Sequence, residues 1–556
     1  MDGSLSSDPE ANTSSSNGRK KGNWITFPFI AGAMAGMTVA VGGYLADLIV
    51  YLIKEFNFKS IDAAQVFNVV NGASNLFPIV GAILADSFFG NFSVIALSSC
   101  VSFLGLVLVV LTAIFRTLRP TPCQVESTLC QAPSGFQYTI LYGSLILTSI
   151  GFGGTRYTLT TMGANQFNKP EDRNTYFNWF FFTLYLASVI AATAIVYIEE
   201  NVGWAVGFGV CLAANFIALA LFLTGNRFYR HEKPGGSPFS SLAQVVVATV
   251  KKRKVMLSSR SEDYYHGNDV KVKEVSGSVT KSFRFFNRAA MITEGDVKPD
   301  GTISKPWRIC SVQQVEDFKT LIRIFPVWSS SIFLATPIGM QTSLTILQAL
   351  AMDRHIGKHF QIPSGSVIVI VLFTATVCLS VIDRFFEPFW RFLTRKTPTP
   401  FQRIGVGHVF NVLSMAASAV VESRRLRKDD TEALMPALWL FPQLILVGIG
   451  EAFHFPGQVA LYYQEFPISL RSTSTAMISL IIGIAFYLST ALIDVLRRVT
   501  DWLPDNIDDG RVDNVYWVLV VIGVANFGYY LVCAKLYTYQ NVHDVVKESG
   551  ALVSDK

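Results

Sequence analysis

The chain has 556 residues, 51% of them hydrophobic, 13% aromatic and only 15% charged, at a mean hydropathy of +0.38. That is too little charge to cover the several soluble domains such a length would otherwise make. The seven cysteines lack metal-ligand spacing, which argues against a structural zinc or iron–sulfur framework.

The apolar residues gather in runs of about twenty or more, separated by short polar loops, so an all-α membrane protein is expected. Residues 1–22 are rich in Ser and Asn, end in Arg19-Lys20-Lys21 and are expected to form a disordered cytosolic tail. No cleavable leader is expected, because the first apolar run begins late and is long. Spans are predicted at 24–53, 64–89, 92–115, 137–163, 174–198 and 204–224, which make an N-terminal half of residues 23–224. After a polar linker over 225–316, spans resume at 319–351, 364–386, 402–423, 436–463, 469–496 and 514–538. These form a C-terminal half of residues 317–540, followed by a second cytosolic tail, 541–556. Twelve transmembrane helices in two six-helix halves are thus expected.

The linker carries sixteen Lys and Arg against nine Asp and Glu, an excess larger than the net +6 of the whole chain. It lies on the same side as the basic N-terminal tail and the loop with Arg391, Arg395, Lys396 and Arg403, so that side is expected to be cytosolic. On the other side the run Arg424, Arg425, Arg427 and Lys428 disagrees, partly offset by Asp429, Asp430 and Glu432. The acidic loop with Asp501, Asp505, Asp508, Asp509 and Asp513 falls outside, as the rule asks. A basic linker tethered to a membrane points to anionic lipid rather than nucleic acid. Cys123 and Cys130 share one polar loop and are placed to bond if that loop is extracellular.

One charge stands out. Arg156, in Ile150-Gly-Phe-Gly-Gly-Thr-Arg156, is the only charged residue of its predicted span. An arginine near mid-membrane costs about 2.5–3.5 kcal/mol on insertion scales, so such a residue marks a partner or a water-filled path. Arg156 lies closer to the polar end of the span than to its start, so the structural alternative is a side chain that snorkels to the headgroups.

Span two ends in Gly81-Ala-Ile-Leu-Ala-Asp86-Ser-Phe-Phe-Gly90-Asn91, which resembles the G-x-L-x-D-x-x-G-[RK] element of the major facilitator superfamily. There Gly81 would permit close helix contact, Asp86 would accept hydrogen bonds from a neighbouring helix end, and Gly90 would make the turn. Asp383-Arg384-Phe-Phe-Glu-Pro388 echoes it in the second half, as expected of a repeat-built transporter. Further stretches narrow the resemblance. They are Gly163-Ala-Asn165-Gln-Phe-Asn168, Phe177-Asn178-Trp179-Phe-Phe-Phe182, Met352-Asp353-Arg354, Thr399-Pro-Phe-Gln-Arg403, Glu451-Ala-Phe-His-Phe-Pro-Gly457-Gln and Arg471-Ser-Thr. Together with the Arg156 stretch they resemble the plant nitrate/peptide transporter family within the proton-dependent oligopeptide transporters.

That resemblance implies alternating access, no cofactor or metal, no enzymatic activity and a plasma-membrane location. It matches the family's helix-4 lysine to Arg156 and its helix-10 carboxylate to Glu451, a pair expected to close one side of the path and break on opening. The E-x-x-E-[RK] element of span one, which the family associates with proton coupling, is absent: its positions hold Met34, Met37 and Thr38. Thioethers do not relay protons. In helix 5, Phe181 and Tyr185 stand where the family favours Tyr and Asn. The chain therefore resembles the subgroup of nitrate excretion transporters that lacks the motif. The expected substrate is a small inorganic anion, nitrate first and chloride second. The alternatives are a proton-coupled carrier of peptides, hormones or organic anions, an anion channel, and a membrane enzyme. Trp328, Gln341, Gln348 and Trp439 are candidate pocket-lining residues. His355 and His359 lack a third metal ligand, and His454 is expected to pack rather than tune Glu451.

Overall fold

The computed structural model describes residues 22–121, 131–231, 238–258, 260–267, 280, 282–298, 302–358, 360–395, 398–427, 434–465 and 474–537. Cys123, Cys130, His359 and Arg471 lie outside them.

The first half contains α1 (Phe27–Ala46), which passes through a one-residue break at Asp47 into α2 (Leu48–Phe56), then α3 (Ser60–Leu84), α4 (Gly90–Ile114) and α5 (Gly135–Ala164). It ends with α6 (Pro170–Ile190), α7 (Val196–Asn201) and α8 (Trp204–Thr224). A linker helix α9 (Pro238–Lys251) precedes the second half. That half contains α10 (Val312–Leu350), a short hairpin of β1 (His355–Ile356) and β2 (Phe360–Gln361), α11 (Val369–Val381) and α12 (Glu387–Thr394). It closes with α13 (Pro400–Leu426), α14 (Phe441–Glu465), α15 (Ser474–Val499) and α16 (Val512–Leu536). Single π-helical turns at Ala85–Phe89, Ala191–Ile195 and Ile382–Phe386 join α3 to α4, α6 to α7 and α11 to α12.

Among the described residues, ten helical stretches are long and apolar enough to cross a membrane. One of them, Ser60–Ile114, is two helices, broken where Gly90 takes φ 75°, a value that favours glycine. The thirty-residue α5 is not among the ten. Its polarity comes from Arg156 and from Ser and Thr side chains; Ser149, Thr158 and Thr160 each bond a carbonyl four residues back. Three helix starts follow the S/T-x-x-Q signature. Ser134 with Gln137, Ser311 with Gln314 and Thr399 with Gln402 each make both bonds of a capping box. The second of these moves a boundary. The second half begins its first helix at Val312, five residues before the predicted edge at 317, because Ser311 supplies the cap.

Glycines set the packing of α5. A Cβ on Gly151 would fall 2.4 Å from the backbone nitrogen of Ser102 in α4, and one on Gly153 would fall 2.4 Å from Phe77 Cβ in α3. Because a backbone atom cannot step aside, Gly151→Val is expected to cost at least the roughly 1–3 kcal/mol of an overpacked core. The yield of monodisperse protein in detergent would fall sharply; an unchanged yield would contradict the packing.

The linker is more ordered than a basic loop. Val245, Ala248, Tyr264, Ala289, Ala290, Met291 and Cys310 form a small core with Val312 and Val315 at the start of α10. Beside it Lys252 and Asp296 pair at 2.7 Å, with side chains 2% and 0% exposed.

Most of the polar ties that the described residues make between the halves lie at the end opposite the linker. Lys59 bonds Asp505 at 2.5 Å, Arg497 bonds Asp62 at 2.6 Å, and Arg354 bonds Glu200 at 3.0 Å. Deeper in, α3 and α15 approach at Gly72 and Gly483, where a Cβ on Gly483 would lie 3.1 Å from the Gly72 carbonyl.

Candidate functional site

Arg156 owes its place to the glycines before it, which let α5 lie against α3 and α4. The same motif lets α3 come close: a Cβ on Gly81 would meet Gly154 Cα at 2.9 Å. Among the described residues the guanidinium donates one hydrogen bond, from Nη1 to Asn75 Oδ1 at 3.2 Å. It also lies over the rings of Phe152 and Tyr157, 5.6 and 5.7 Å from their centroids. One charged hydrogen bond contributes about 1.5–3 kcal/mol and each exposed cation–π contact about 0.5–1 kcal/mol. Together they offset an insertion cost of about 2.5–3.5 kcal/mol, which explains why the charge is tolerated. They leave the rest of its five N–H donors without a partner among the described residues. The side chain is half-buried, so those donors reach an accessible space.

Glu451 sits on α14 in the other half and is also half-buried. It makes no hydrogen bond or ion pair with a described residue, so the predicted partnership with Arg156 is not formed in this conformation. The two charges share a neighbour. Tyr185 on α6, partly exposed, lies within electrostatic reach of both. Across the halves, Ser479 Oγ on α15 donates to Tyr157 Oη at 2.5 Å, next to Arg156 in sequence. Four elements therefore converge on the site: α5 with the cation, α3 with Asn75, α6 with Tyr185 and α14 with the carboxylate.

Neither Asn75 nor Ser479 was singled out from the sequence. Asn68, Asn71 and Asn75 repeat at three- and four-residue spacing within an apolar helix, a polar stripe that points to one face. The Asn75→Ala variant is expected to raise the apparent KM for the transported substrate about three- to tenfold while kcat changes less, because Asn75 orients the guanidinium. Initial rates against substrate concentration would separate the two constants.

The candidate pocket residues of the second half are placed elsewhere. Gln341 is buried and donates to Ser414 and Ser418 at 2.8 and 2.7 Å. Gln348 donates to Glu422 at 2.7 Å and accepts from Tyr516 at 3.1 Å. Both belong to a polar network inside the half, since a buried amide must satisfy its own donors. Trp328 packs with Ile404, Leu461 and Ile481. Trp439 is 43% exposed at the opposite end and lies under Arg424, 5.1 Å from ring to guanidinium. None of the four joins Arg156 and Glu451.

Asp86 is corrected too. It is half-buried in the π-turn and accepts no hydrogen bond from a described residue, so it locks no helix end here. Met34, Met37 and Thr38 are buried within the first half, where the two thioethers accept from Thr38 and Ser99, each at 3.6 Å. The stretch Gly163–Asn168 anchors the start of the linker: Gln166 exchanges bonds with the Arg230 backbone, and Asn168 accepts from Arg230 Nη1 at 2.6 Å. His454 is buried against His408, ring centroids 5.5 Å apart, and so packs as expected. His355, on the hairpin, pairs with Asp353 at 2.6 Å, and the described residues hold no cluster able to bind a metal. A cavity of about 1040 Å³ lies between α3, α5 and α15. Its lining, including Val69, Phe77, Ile146 and Tyr487, contains no cation, so anion chemistry does not lead there.

A helical membrane chain in two halves, with charges from both facing one accessible space, has the build of a transporter. The comparisons with known proteins agree. The family model PTR2, described as the POT family, matches residues 92–507. Protein NRT1/ PTR FAMILY 2.7 of Arabidopsis thaliana is 54% identical over 564 residues, covering 100% of both chains. NRT1/ PTR FAMILY 2.6 from the same plant is 53% identical, also over 100% of both. Among solved structures, the POT family transporter PepTSo superposes with a TM-score of 0.69 at 16% identity, over 92% of this chain and 98% of that one. An auto-inhibited POT family peptide transporter follows at 0.67 and 16%, over 92% and 97%. The chain belongs to the POT family, in its plant nitrate/peptide transporter branch, and is a transporter rather than an enzyme.

Proposed function

We propose that this transporter carries a small inorganic anion, nitrate first and chloride second, by alternating access across the plasma membrane. Its direction is efflux or low-affinity exchange with weak proton coupling. Twelve spans with both termini and the linker in the cytosol complete this reading. The observation that carries it is Arg156: a half-buried cation that, among the described residues, makes one hydrogen bond and leaves most of its donors unpartnered, while its candidate counter-charge, Glu451, pairs with none of them. A fixed positive charge held ready in an accessible space is what a small anion needs. The names of its plant relatives, which carry the NRT1 designation, accord with this choice.

The methionines of span one support the weak coupling. With a cytosol at negative potential, an anion carrier without strong proton coupling releases anions outward. Import would need at least two protons for each monovalent anion to carry net positive charge inward. Glu451 competes with the anion for Arg156 and, once protonated, leaves it free. The ties at the opposite end join the two halves there, and the Tyr157–Ser479 bond joins them again beside Arg156. Flux in proteoliposomes, with imposed voltage and imposed pH gradient varied separately, tests the reading. Nitrate movement driven by voltage alone is the expected result; an absolute need for a proton gradient would overturn weak coupling.

A further inference from the structure

One tie at the opposite end is built on three carboxyl groups. Glu200 Oε2 accepts from Arg354 Nη1 at 3.0 Å, and its Oε1 accepts from the Ser364 N–H and Oγ, both at 2.9 Å. With three donors from the second half, Glu200 has the surroundings of an ionised carboxylate. Asp47 does not. It occupies the break between α1 and α2, is 0% exposed, and no donor reaches either of its oxygens. Its carboxyl and that of Glu200 lie against consecutive residues of the other half, Gly365 and Ser364, and each is within electrostatic reach of the other. From the other half Gly365 closes over it so tightly that a Cβ there would lie 3.0 Å from Asp47 Oδ1. Glu199, the next residue along α7, is 1% exposed, and both its oxygens also lack a donor.

The charged and titratable groups around Asp47 are Glu200 and Glu199 on α7, Lys54 on α2 and Arg354 beyond α10. Those around Glu199 are Asp47, Glu200 and the Cys211 thiol on α8. Two carboxylates in contact in a dry site repel; a single proton between them turns the repulsion into a hydrogen bond.

We propose that Asp47 and Glu200 form a proton-binding site whose occupancy holds the opposite end of the transporter closed. One proton passes from the aqueous phase at that end onto Asp47, which donates it in a hydrogen bond to the Glu200 carboxylate. Glu200 stays ionised and keeps Arg354 and Ser364, so the two halves remain joined. Loss of the proton puts a negative charge beside Glu200 and under Gly365. Water must then enter to hydrate it, and Arg354, Ser364 and Gly365 part from the first half. The chain thus keeps a protonatable carboxyl in its first membrane segment, at Asp47 rather than at the positions of Met34, Met37 and Thr38. The inference rests on the transporter fold and not on which anion is carried.

The test uses full-length protein in lipid nanodiscs with no nitrate present, carrying spin-labelled noncanonical residues at the exposed positions Val202 and Lys358 on the two halves. The distance distribution between the labels is measured as pH is raised. In the wild type the short, closed population is expected to give way to a longer one. In D47N, whose amide donates permanently to Glu200, the short population should persist and the pH response should be lost. A wild-type pH response in D47N would overturn the proposal, as would a wild type that never opens. If D47N does not fold, infrared spectra of the wild type decide. The absorption of a protonated buried carboxyl must vanish over the same pH range in which the labels separate, and its absence throughout would overturn the proposal. With no anion in the sample, failure here is distinct from failure of the anion reading at Arg156.

Discussion

Replacing Arg156 with alanine is expected to lower nitrate flux in proteoliposomes by about 10- to 100-fold at equal protein density. The estimate follows from what the anion loses. A hydrogen bond to a charged group contributes about 1.5–3 kcal/mol, and each 1.4 kcal/mol is a factor of ten. The described partners of Arg156 occupy one donor and two ring faces, so a bound anion would have the remaining donors to itself. Arg156→Lys keeps the charge but not the planar fork, and should retain part of the flux with a weaker apparent affinity. Undiminished flux in the alanine variant at normal expression would remove Arg156 from the mechanism. A loss of folded protein would be a different result, which is why the lysine variant is measured beside it.

The second large effect is expected at Glu451. In the proposed cycle an ionised Glu451 competes with the anion for Arg156, and a protonated one does not. Flux at fixed voltage should therefore be higher at acidic pH and fall as the pH rises. Glu451→Gln fixes the neutral form. Its flux at alkaline pH should rise to the acidic value, leaving a flat profile. The structure adds a reason to expect a viable variant: Glu451 makes no hydrogen bond or ion pair with a described residue, so neutralising it orphans no buried partner here. A variant that kept the wild-type pH profile would show that another group titrates.

Much of the architecture was legible in the sequence because membrane helices announce themselves by length and apolarity. The run from Phe136 to Gly163 predicted α5 almost to its ends, and Arg156 within it was conspicuous because lipid makes charge costly. The pocket residues were not legible for a related reason. Gln341 and Gln348 carry the same sequence signal whether a polar side chain faces a ligand or a buried network, and here Ser414, Ser418, Glu422 and Tyr516 claim them. Trp439 reads as a pocket aromatic until the helix start at the rim, and Arg424 beside it, come into view. The linker misled by its charge: Leu242, Val245 and Ala248 recur at helical spacing on α9, but the residues around Tyr264 and Met291 that complete the small core follow no period. Asp47 is a single acid in an apolar span, and its place beside Glu200, far along the chain, depends on tertiary structure alone.

The π-turns bear on how the two halves move. Ala85-Asp86-Ser-Phe88-Phe89 in the first half and Ile382-Asp383-Arg-Phe385-Phe386 in the second place their turn, their aspartate and their paired phenylalanines in the same order. In the first half the turn leads into the long α4 and in the second into the short α12 that ends the same apolar stretch, and in each the first phenylalanine is exposed. A π-turn accommodates a residue beyond the α-helical repeat, which advances the following helix by about 100°. The two halves therefore carry the same phase offset at the same joint. Any bending that such a joint allows in one half has a twin in the other, so opening and closing can proceed as mirror-related deformations instead of one mobile half turning against a rigid one.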